Sequence, residues 1–345
     1  MKRALIVCPG RGSYDRASLG QLQDRSEAAA AVIAACDAHR RANGRVPVTE
    51  LDADEKYRTT RHVAGEHASL LTLCCSLADL ADLSSEYEVV GVTGNSMGFY
   101  TALAASGALS LADAISLVDT MGDYQAGNVI GGQLLFPVSD DSWRPDQALT
   151  DAVNVAIEAA REAGHAAYWS IRLGGYAVLG ADKAGVKFLL EALPLQKRGT
   201  REFPLQLPLH SAFHTPLLAE TSARALRELG SLDFRAPEVP LIDGQGTVWR
   251  PRWADPAALT QYTLGHQVTE TFDFTVAAHT ALRHTGAEVV IALGPGNAMG
   301  GPIARILVSE GWQGVRSRAD LDVRQQSADP LLLSFGVSMQ RKVLV

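Results

Sequence analysis

The sequence contains few cysteines and no long apolar run. Only four of its 345 residues are cysteine, at positions 8, 36, 74 and 75, and no two form a CxxC pair. No apolar run approaches the roughly 20 residues that a membrane-spanning helix needs, and ALIVC near the N-terminus is too short for a secretory signal. These absences predict a cytoplasmic protein with reduced thiols and no membrane association.

Positive charge is not in excess either. Lys and Arg number 31 against 38 Asp and Glu, so the formal net charge is −7 and the sequence pI is about 5.7. Such a chain offers no cationic stripe for nucleic acid or anionic lipid. The glycine-rich stretches PGRGSYDRASLG and GPGNAMGG have neither the G-x-G-x-x-G spacing nor the lysine of a phosphate-binding loop. We therefore predict no nucleic-acid, lipid or nucleotide-cofactor site.

Strand and helix patterns alternate along most of the chain. Residues 3–8 and 88–93 are short apolar runs of the kind buried on both faces of a parallel sheet. Helical periodicity covers 22–42 and 67–83, and Ser110 is a suitable N-cap for another helix. Strand patterns return at 239–242 and 287–294, and DPLLLSF near the C-terminus can add one more strand. This order predicts an α/β domain with a parallel sheet.

The segment 126–202 has a different pattern. It reads as strand, helix, two strands, helix and strand, and this β-α-β-β-α-β order is typical of a small ferredoxin-like unit. Because α/β patterning resumes afterwards, the segment is predicted to be an insertion. We therefore predict a discontinuous large α/β domain, 1–125 and 203–345, and a small ferredoxin-like α+β subdomain, 126–202.

The stretch GNSMG joins the strand at 88–93 to a helix rich in small residues. Gly94 and Gly98 flank Ser96 in a G-x-S-x-G pattern. In this context the glycines permit a sharp strand-to-helix turn, and the helix N-terminus directs backbone N–H groups at negative charge developing near the serine. The alternative is a tight turn that only needs glycine for packing. The strand and helix on either side favour Ser96 as a nucleophile.

A serine nucleophile needs a base, and His214 in LPLHSAFHTPLL is the main candidate. Thr215 and Pro216 can begin a new helix directly after it. His210 lies four residues earlier, but prolines on both sides argue against the helical H-x3-H arrangement of a zinc site, so no metal is predicted. A different triad, as in general α/β-hydrolases, would order serine, then Asp243, then His266 or His279. A patatin-like dyad would pair the serine with the same aspartate.

Four islands in order carry a family resemblance: CPGRGSY, GNSMG, AFHTPLL, and LGHQV with ALGPGNAMGG. Together with the inserted ferredoxin-like unit, they resemble the malonyl-CoA:acyl carrier protein transacylase family, including the acyltransferase domains of fatty acid and polyketide synthases. The resemblance implies an α/β-hydrolase-like large domain. It also implies acyl transfer in fatty acid or polyketide biosynthesis by a ping-pong reaction through an acyl-serine.

The resemblance assigns roles to individual residues. Ser96 would attack a coenzyme A thioester, and His214 would be general base for each attack and general acid for each departing thiolate. Gln267 matches a family glutamine near the histidine. The backbone N–H groups of Met97 and Arg11 would form the oxyanion hole. In this family a backbone carbonyl commonly orients the histidine, so no carboxylate partner is implied.

Three departures from the family pattern concern the substrate. Asn95 replaces the usual histidine before the nucleophile, and Arg11 stands where the N-terminal loop usually has glutamine. Met121 occupies the position of the arginine that grips the free carboxylate of a malonyl group, and methionine cannot replace that ion pair. A malonyl substrate is therefore disfavoured unless Arg11 or Arg172 reaches the carboxylate from another direction. The resemblance also implies that Phe213, beside His214, lines the substrate pocket.

The implied substrates are an acyl-CoA and the phosphopantetheine arm of acyl carrier protein, without a further cofactor and with a monomeric enzyme. Components of a polyketide or fatty acid synthase are further candidate partners. Two alternatives stay open from the sequence. One is an acyl-thioester hydrolase that clears carrier proteins, with water as the second nucleophile. The other is a non-catalytic partner that binds carrier protein, suggested by the altered positions 11, 95 and 121.

Overall fold

The computed structural model describes residues 1–345 and contains thirteen strands and fifteen α-helices. The strands are β1 (Lys2–Cys8), β2 (Tyr87–Gly94), β3 (Gly132–Pro137), β4 (Ala167–Arg172), β5 (Tyr176–Ala181), β6 (Gln196–Arg198), β7 (Arg201–Phe203), β8 (Leu205–Leu207), β9 (Leu241–Ile242), β10 (Val248–Trp249), β11 (Phe272–Asp273), β12 (Val289–Ala292) and β13 (Leu332–Ser334).

The helices are α1 (Glu27–Ala42), α2 (Val48–Asp52), α3 (Thr59–His62), α4 (Gly65–Ala81), α5 (Gly98–Ala105), α6 (Leu111–Asp123), α7 (Gln147–Glu162), α8 (Lys183–Ala192), α9 (Ala219–Leu229), α10 (Pro256–Gln261), α11 (Gln267–Thr269), α12 (Phe274–His284), α13 (Gly300–Glu310), α14 (Arg318–Gln325) and α15 (Ser338–Leu344). A π-helical turn, Tyr262–His266, connects α10 to α11. No helix has both the length and the apolarity to cross a membrane.

The large sheet has the strand order β10-β9-β2-β1-β12-β13. All neighbouring strands are parallel except β10, which runs antiparallel to β9. Residues 4–8 of β1 and all of β12 are buried, as their continuous apolar runs require. The predicted parallel α/β sheet is confirmed, including the added strand in DPLLLSF, which pairs with β12.

Helix boundaries follow the capping residues. Ser110 accepts a hydrogen bond from the backbone N–H of Asp113, so the predicted N-cap of α6 is confirmed. The helix predicted from residue 22 begins instead at Glu27, because the Ser26 side chain accepts from the N–H of Ala29 and fixes the first turn there.

The small sheet has the order β11-β4-β5-β3-β8, in which all neighbouring strands are antiparallel except β11, which runs parallel to β4. Apart from the separate β6-β7 hairpin between α8 and β8, its chain order is β3-α7-β4-β5-α8-β8, which confirms the predicted ferredoxin-like pattern. These elements enclose a separate core of 14 buried residues. The sheet does not stop at residue 202, because Leu205–Leu207 pair with β3 and Phe272–Asp273 pair with β4. The last strand of the predicted pattern is two short strands, Arg201–Phe203 and Leu205–Leu207, since Pro204 between them has no N–H for a continuous ladder. The division into domains itself stays a prediction.

Candidate active site

Ser96 lies in a sharp turn between β2 and α5. Its φ angle is +55°, in the left-handed region that non-glycine residues rarely adopt. The turn is tightly packed on both sides. A Cβ at Gly94 would lie 2.2 Å from the carbonyl oxygen of Gly98, and a Cβ at Gly98 would lie 2.3 Å from that of Cys8. The two glycines are therefore required by close backbone approach, and Ser96 is held at the carboxyl end of β2.

We expect Gly98→Ala to disrupt this turn. The added methyl group would overlap the end of β1, so either β1 or α5 must move, at a cost of about 1–3 kcal/mol in the free energy of unfolding. Chemical denaturation followed by circular dichroism measures this loss. Gly265→Ala is the matched control, because a Cβ at Gly265 has no neighbouring atom within 4 Å. Equal stability of the two variants would contradict the packing argument.

His214 lies directly against Ser96. Its Nε2 is 2.7 Å from the Ser96 Oγ, and its Nδ1 contacts the backbone carbonyl oxygen of Gln267. Because a carbonyl only accepts hydrogen bonds, Nδ1 must carry the proton, which leaves Nε2 free to accept from the serine hydroxyl. The backbone N–H of His214 donates to the carbonyl of Val268 at 2.9 Å and fixes the segment. Ser96 and His214 therefore form a hydrogen-bonded pair oriented by a backbone carbonyl, which is the arrangement that a serine nucleophile and its base require.

Burial keeps the His214 imidazole neutral. The residue is 1% exposed, and desolvation lowers its pKa from 6.5 to about 4, although the hydrogen bond to the Gln267 carbonyl partly opposes the shift. At neutral pH the ring is ready to take a proton.

The rate of serine acylation should consequently be constant from about pH 5 to 8. It should fall roughly tenfold per pH unit below about pH 4, because protonated Nε2 cannot accept the serine proton. Single-turnover acylation across this range, with the fold monitored by circular dichroism, measures the profile. An inflection near 6.5 would contradict the assignment of a buried, neutral base.

Three neighbouring groups complete the turn. The side chain of Gln267 donates from Nε2 to the Ser96 carbonyl oxygen at 3.0 Å. The backbone N–H groups of Met97 and Arg11 donate to no other group of the protein. Met97 immediately precedes α5, where the helix N-terminus favours negative charge. These two N–H groups are therefore available as an oxyanion hole.

A cavity of about 710 Å³ opens above the pair. Its wall combines the segments that follow β1 and β2 with residues of the small sheet. It includes eight of the nine predicted site residues: Arg11, Asn95, Ser96, Met97, Met121, Phe213, His214 and Gln267. The arrangement is a covered cleft at the carboxyl ends of parallel strands, the usual location of a ligand site in an α/β sheet.

Arg172 is the exception, and its predicted place in the substrate pocket is wrong. Its guanidinium packs over the Trp169 ring at 4.2 Å and lies 3.6 Å from Asp273, with 47% of the side chain exposed. It lines the surface side of β4 and not the cavity. The strand pattern could not predict this, because side chains on a strand alternate between faces and one residue of register decides the direction.

The alternative triads are not formed in this structure, because the histidine hydrogen-bonded to Ser96 is His214. Asp243 accepts hydrogen bonds from the N–H groups of Gln245 and Thr247 and from Trp249 Nε1. Both of its carboxylate oxygens are therefore hydrogen-bonded to residues that follow it closely in the chain. His279 contacts Glu310, away from the serine. The histidine that reaches Ser96 is His214, as the AFHTPLL island predicts.

The cavity wall also contains functional candidates that sequence reasoning missed. Tyr100 and Gln125 are buried there, and the Tyr100 hydroxyl and the Gln125 Oε1 have no hydrogen-bond partner. The available signal was closeness in the chain: Tyr100 lies in α5 four residues after Ser96, and Gln125 lies just beyond α6, four residues after Met121. Arg201 and Arg305 line the cavity as well.

Two further residues bear on the chemistry. Cys8 is buried, and desolvation raises its thiol pKa far above the usual range, so it is not a competing nucleophile. Burial lowers the pKa of Arg11 to about 10, against the opposing charge of Glu66, so its side chain remains a cation at neutral pH.

Comparison with known proteins finds similarity to acyl transferases in both sequence and fold. Residues 5–163 match the acyl transferase domain family. Malonyl CoA-acyl carrier protein transacylase of Salmonella typhimurium is 24% identical over 219 residues, which are 63% of this chain and 65% of that relative. The matched region thus spans just under two thirds of the relative's length.

Solved structures show the same fold. Acyl-carrier-protein S-malonyltransferase from Burkholderia pseudomallei aligns with a TM-score of 0.73 at 21% identity, covering 100% of this chain and 99% of that one. A malonyl-transacylase in complex with a type II polyketide synthase acyl carrier protein aligns with a TM-score of 0.73 at 16% identity, covering 100% and 99%. These similarities confirm the predicted fold: the chain has the fold of the malonyl-transacylases, and its residues 5–163 are similar to the acyl transferase domain.

Proposed function

We propose that this protein transfers an acyl group from a coenzyme A thioester to the phosphopantetheine thiol of an acyl carrier protein, through an ester on Ser96. The observation that carries the proposal is the 2.7 Å contact between Ser96 Oγ and His214 Nε2 in the wall of a large cavity. The carrier-protein complex of the structurally similar malonyl-transacylase supports the choice of acceptor.

The reaction has two balanced halves. His214 Nε2 takes the hydroxyl proton while Ser96 Oγ bonds to the thioester carbonyl carbon, and the resulting oxyanion accepts hydrogen bonds from the N–H groups of Met97 and Arg11. Collapse breaks the carbon–sulfur bond, and the imidazolium returns its proton to the coenzyme A thiolate. The carrier thiol then repeats the sequence against the serine ester and regenerates the free hydroxyl.

We further propose that the enzyme is not strictly specific for malonyl groups. Met121 is 3% exposed and lines the cavity at the position where the family pattern has a carboxylate-binding arginine. A thioether offers no charge and no bidentate donor pair. The carboxylate of a substrate would have to be bound by another part of the wall.

Thiol exchange tests the proposed reaction without assuming the acyl group. The protein is incubated with acetyl-CoA or malonyl-CoA and isotopically labelled coenzyme A, in the absence of carrier protein. Label should enter the acyl-CoA, because a ping-pong enzyme releases the thiol before the acceptor binds. Addition of holo carrier protein should then divert the acyl group to its thiol. Free acid as the only product, with carrier protein saturating, would identify a hydrolase; no turnover of any thioester would identify a non-catalytic protein.

A further inference from the structure

The cavity contains polar groups that the proposed chemistry at Ser96 does not use. Arg11 Nη1, the Tyr100 hydroxyl and Gln125 Oε1 are all buried, and none has a hydrogen-bond partner. Unpartnered buried polar atoms are uncommon because each costs the desolvation of a donor or acceptor. All three residues line the same cavity as the nucleophile. The cavity wall therefore offers unpartnered polar atoms that can bind a polar group of a ligand, in addition to the site for the thioester.

Arg11 is the charged member of this group. Its Nη2 donates to the Leu209 carbonyl oxygen at 2.9 Å, which anchors one arm of the guanidinium, while Nη1 donates to nothing. The charge of Glu66 acts on the guanidinium, but no carboxylate forms a hydrogen bond or ion pair with it, so a ligand anion at Nη1 would stabilise this half-buried cation. A guanidinium with one arm anchored presents its remaining N–H groups in a fixed plane, which suits a carboxylate.

The position of Arg11 relative to α6 follows from Gly65. A Cβ at Gly65 would lie 2.9 Å from Arg11 Nη1, 2.9 Å from the Gly122 carbonyl oxygen and 3.0 Å from Gln125 Cβ. The absent side chain of Gly65 thus leaves room for the guanidinium against the end of α6 that carries Met121. Helix α6 has no arginine at position 121, but the guanidinium of Arg11, from the loop after β1, lies beside this end of α6.

We propose that the Arg11 side chain, assisted by Tyr100 and Gln125, binds a second carboxylate at the far end of the acyl group. This rests on the proposed function and specifies its substrate class as thioesters of dicarboxylic acids. The guanidinium and the tyrosine hydroxyl are donors, and the glutamine amide supplies a third donor after rotation about its last torsion. Because the guanidinium comes from a different element, the carboxylate is held from a different side than an arginine at position 121 would hold it.

Competition between thioesters tests the proposal. An equimolar mixture of acetyl-, butyryl-, malonyl- and succinyl-CoA is mixed with the protein, quenched within one turnover and analysed by intact-protein mass spectrometry. At least one dicarboxylic adduct should exceed the acetyl adduct about tenfold or more, the value of one charge-assisted hydrogen bond. In Arg11→Gln this ratio should fall at least about tenfold. Arg11→Lys, which keeps the charge and loses the planar fork, should be intermediate.

Arg16→Gln is the matched control, because Arg16 is an exposed arginine of the same loop and lies outside the cavity. Its adduct ratio should equal that of the unmodified protein. A preference for acetyl or butyryl groups, or an unchanged ratio in Arg11→Gln, would overturn the proposed role of Arg11. Comparable thermal midpoints of the variants establish that all are folded.

Binding to Ser96→Ala separates this inference from the proposed function. Calorimetric titration with malonyl-, succinyl- and acetyl-CoA needs no chemistry, so it reports carboxylate recognition even if no acyl-enzyme forms. The dicarboxylic thioester should bind more tightly, and Arg11→Gln should weaken only that binding. Absence of every adduct would overturn the proposed function, whereas equal affinity for all three thioesters in Ser96→Ala would overturn the role of Arg11.

Discussion

Ser96→Ala should abolish formation of the acyl-enzyme completely. The substitution removes the only oxygen that the 2.7 Å contact places against His214 Nε2, and the nearby Cys8 thiol is buried with a raised pKa. Alanine adds no atoms to the turn, so the fold is expected to persist. Intact-protein mass spectrometry after mixing with acyl-CoA should show the mass of the unmodified chain alone.

Ser13→Ala provides the matched control for this experiment. Ser13 also lines the cavity, but its hydroxyl donates to the Gly10 carbonyl oxygen at 2.8 Å and does not contact His214. This variant should still become acylated. An adduct of the same mass and yield on Ser96→Ala would mean that another residue is the nucleophile.

His214→Asn should slow acylation about 10²–10⁴-fold, the usual contribution of a positioned general base. His214 has a φ angle of +59°, and asparagine tolerates this left-handed conformation better than most residues, so the backbone should be little strained. Stopped-quench measurement of the acylation rate constant is the direct assay. Added imidazole should restore part of the rate, because it supplies the missing base in the vacated space.

His210→Asn is the control for that loss. His210 lines the cavity four residues away, but its Nδ1 contacts the Pro208 carbonyl and not the serine. Its acylation rate should stay within a few-fold of the unmodified protein. Equal losses in both variants would indicate a general disturbance of the 208–216 loop, and no loss in His214→Asn would exclude it as the base.

Local sequence signals predicted the elements that hold the site. The G-x-S-x-G pattern between an apolar strand and a small-residue helix predicts the turn at Ser96, and the structure shows why, since neither Gly94 nor Gly98 has space for a Cβ. The N-cap at Ser110 and the order of strands and helices along the chain in the small subdomain are likewise local properties. Each depends on residues close together in the chain.

Contacts between distant segments could not be derived in the same way. Ser96 and His214 are separated by 118 residues, and only the order of the family motifs brought them together as a prediction. Whether the side chain of Arg11 or Arg172 lines the cavity depends on which face of its loop or strand that side chain occupies. The sequence treats them as equivalent, whereas one lines the cavity and the other packs on Trp169 at the surface.

The central claim is that an acyl group on Ser96 is an intermediate on the way to carrier protein. The most direct measurement is to form the acyl-enzyme with an isotopically labelled acyl-CoA, remove free thioester by rapid gel filtration, and add holo carrier protein, apo carrier protein or buffer. Peptide mapping should place the label on the peptide containing Ser96, and holo carrier protein alone should remove it to the pantetheine thiol. Label on another residue, or release as free acid at the same rate in all three additions, would contradict the account.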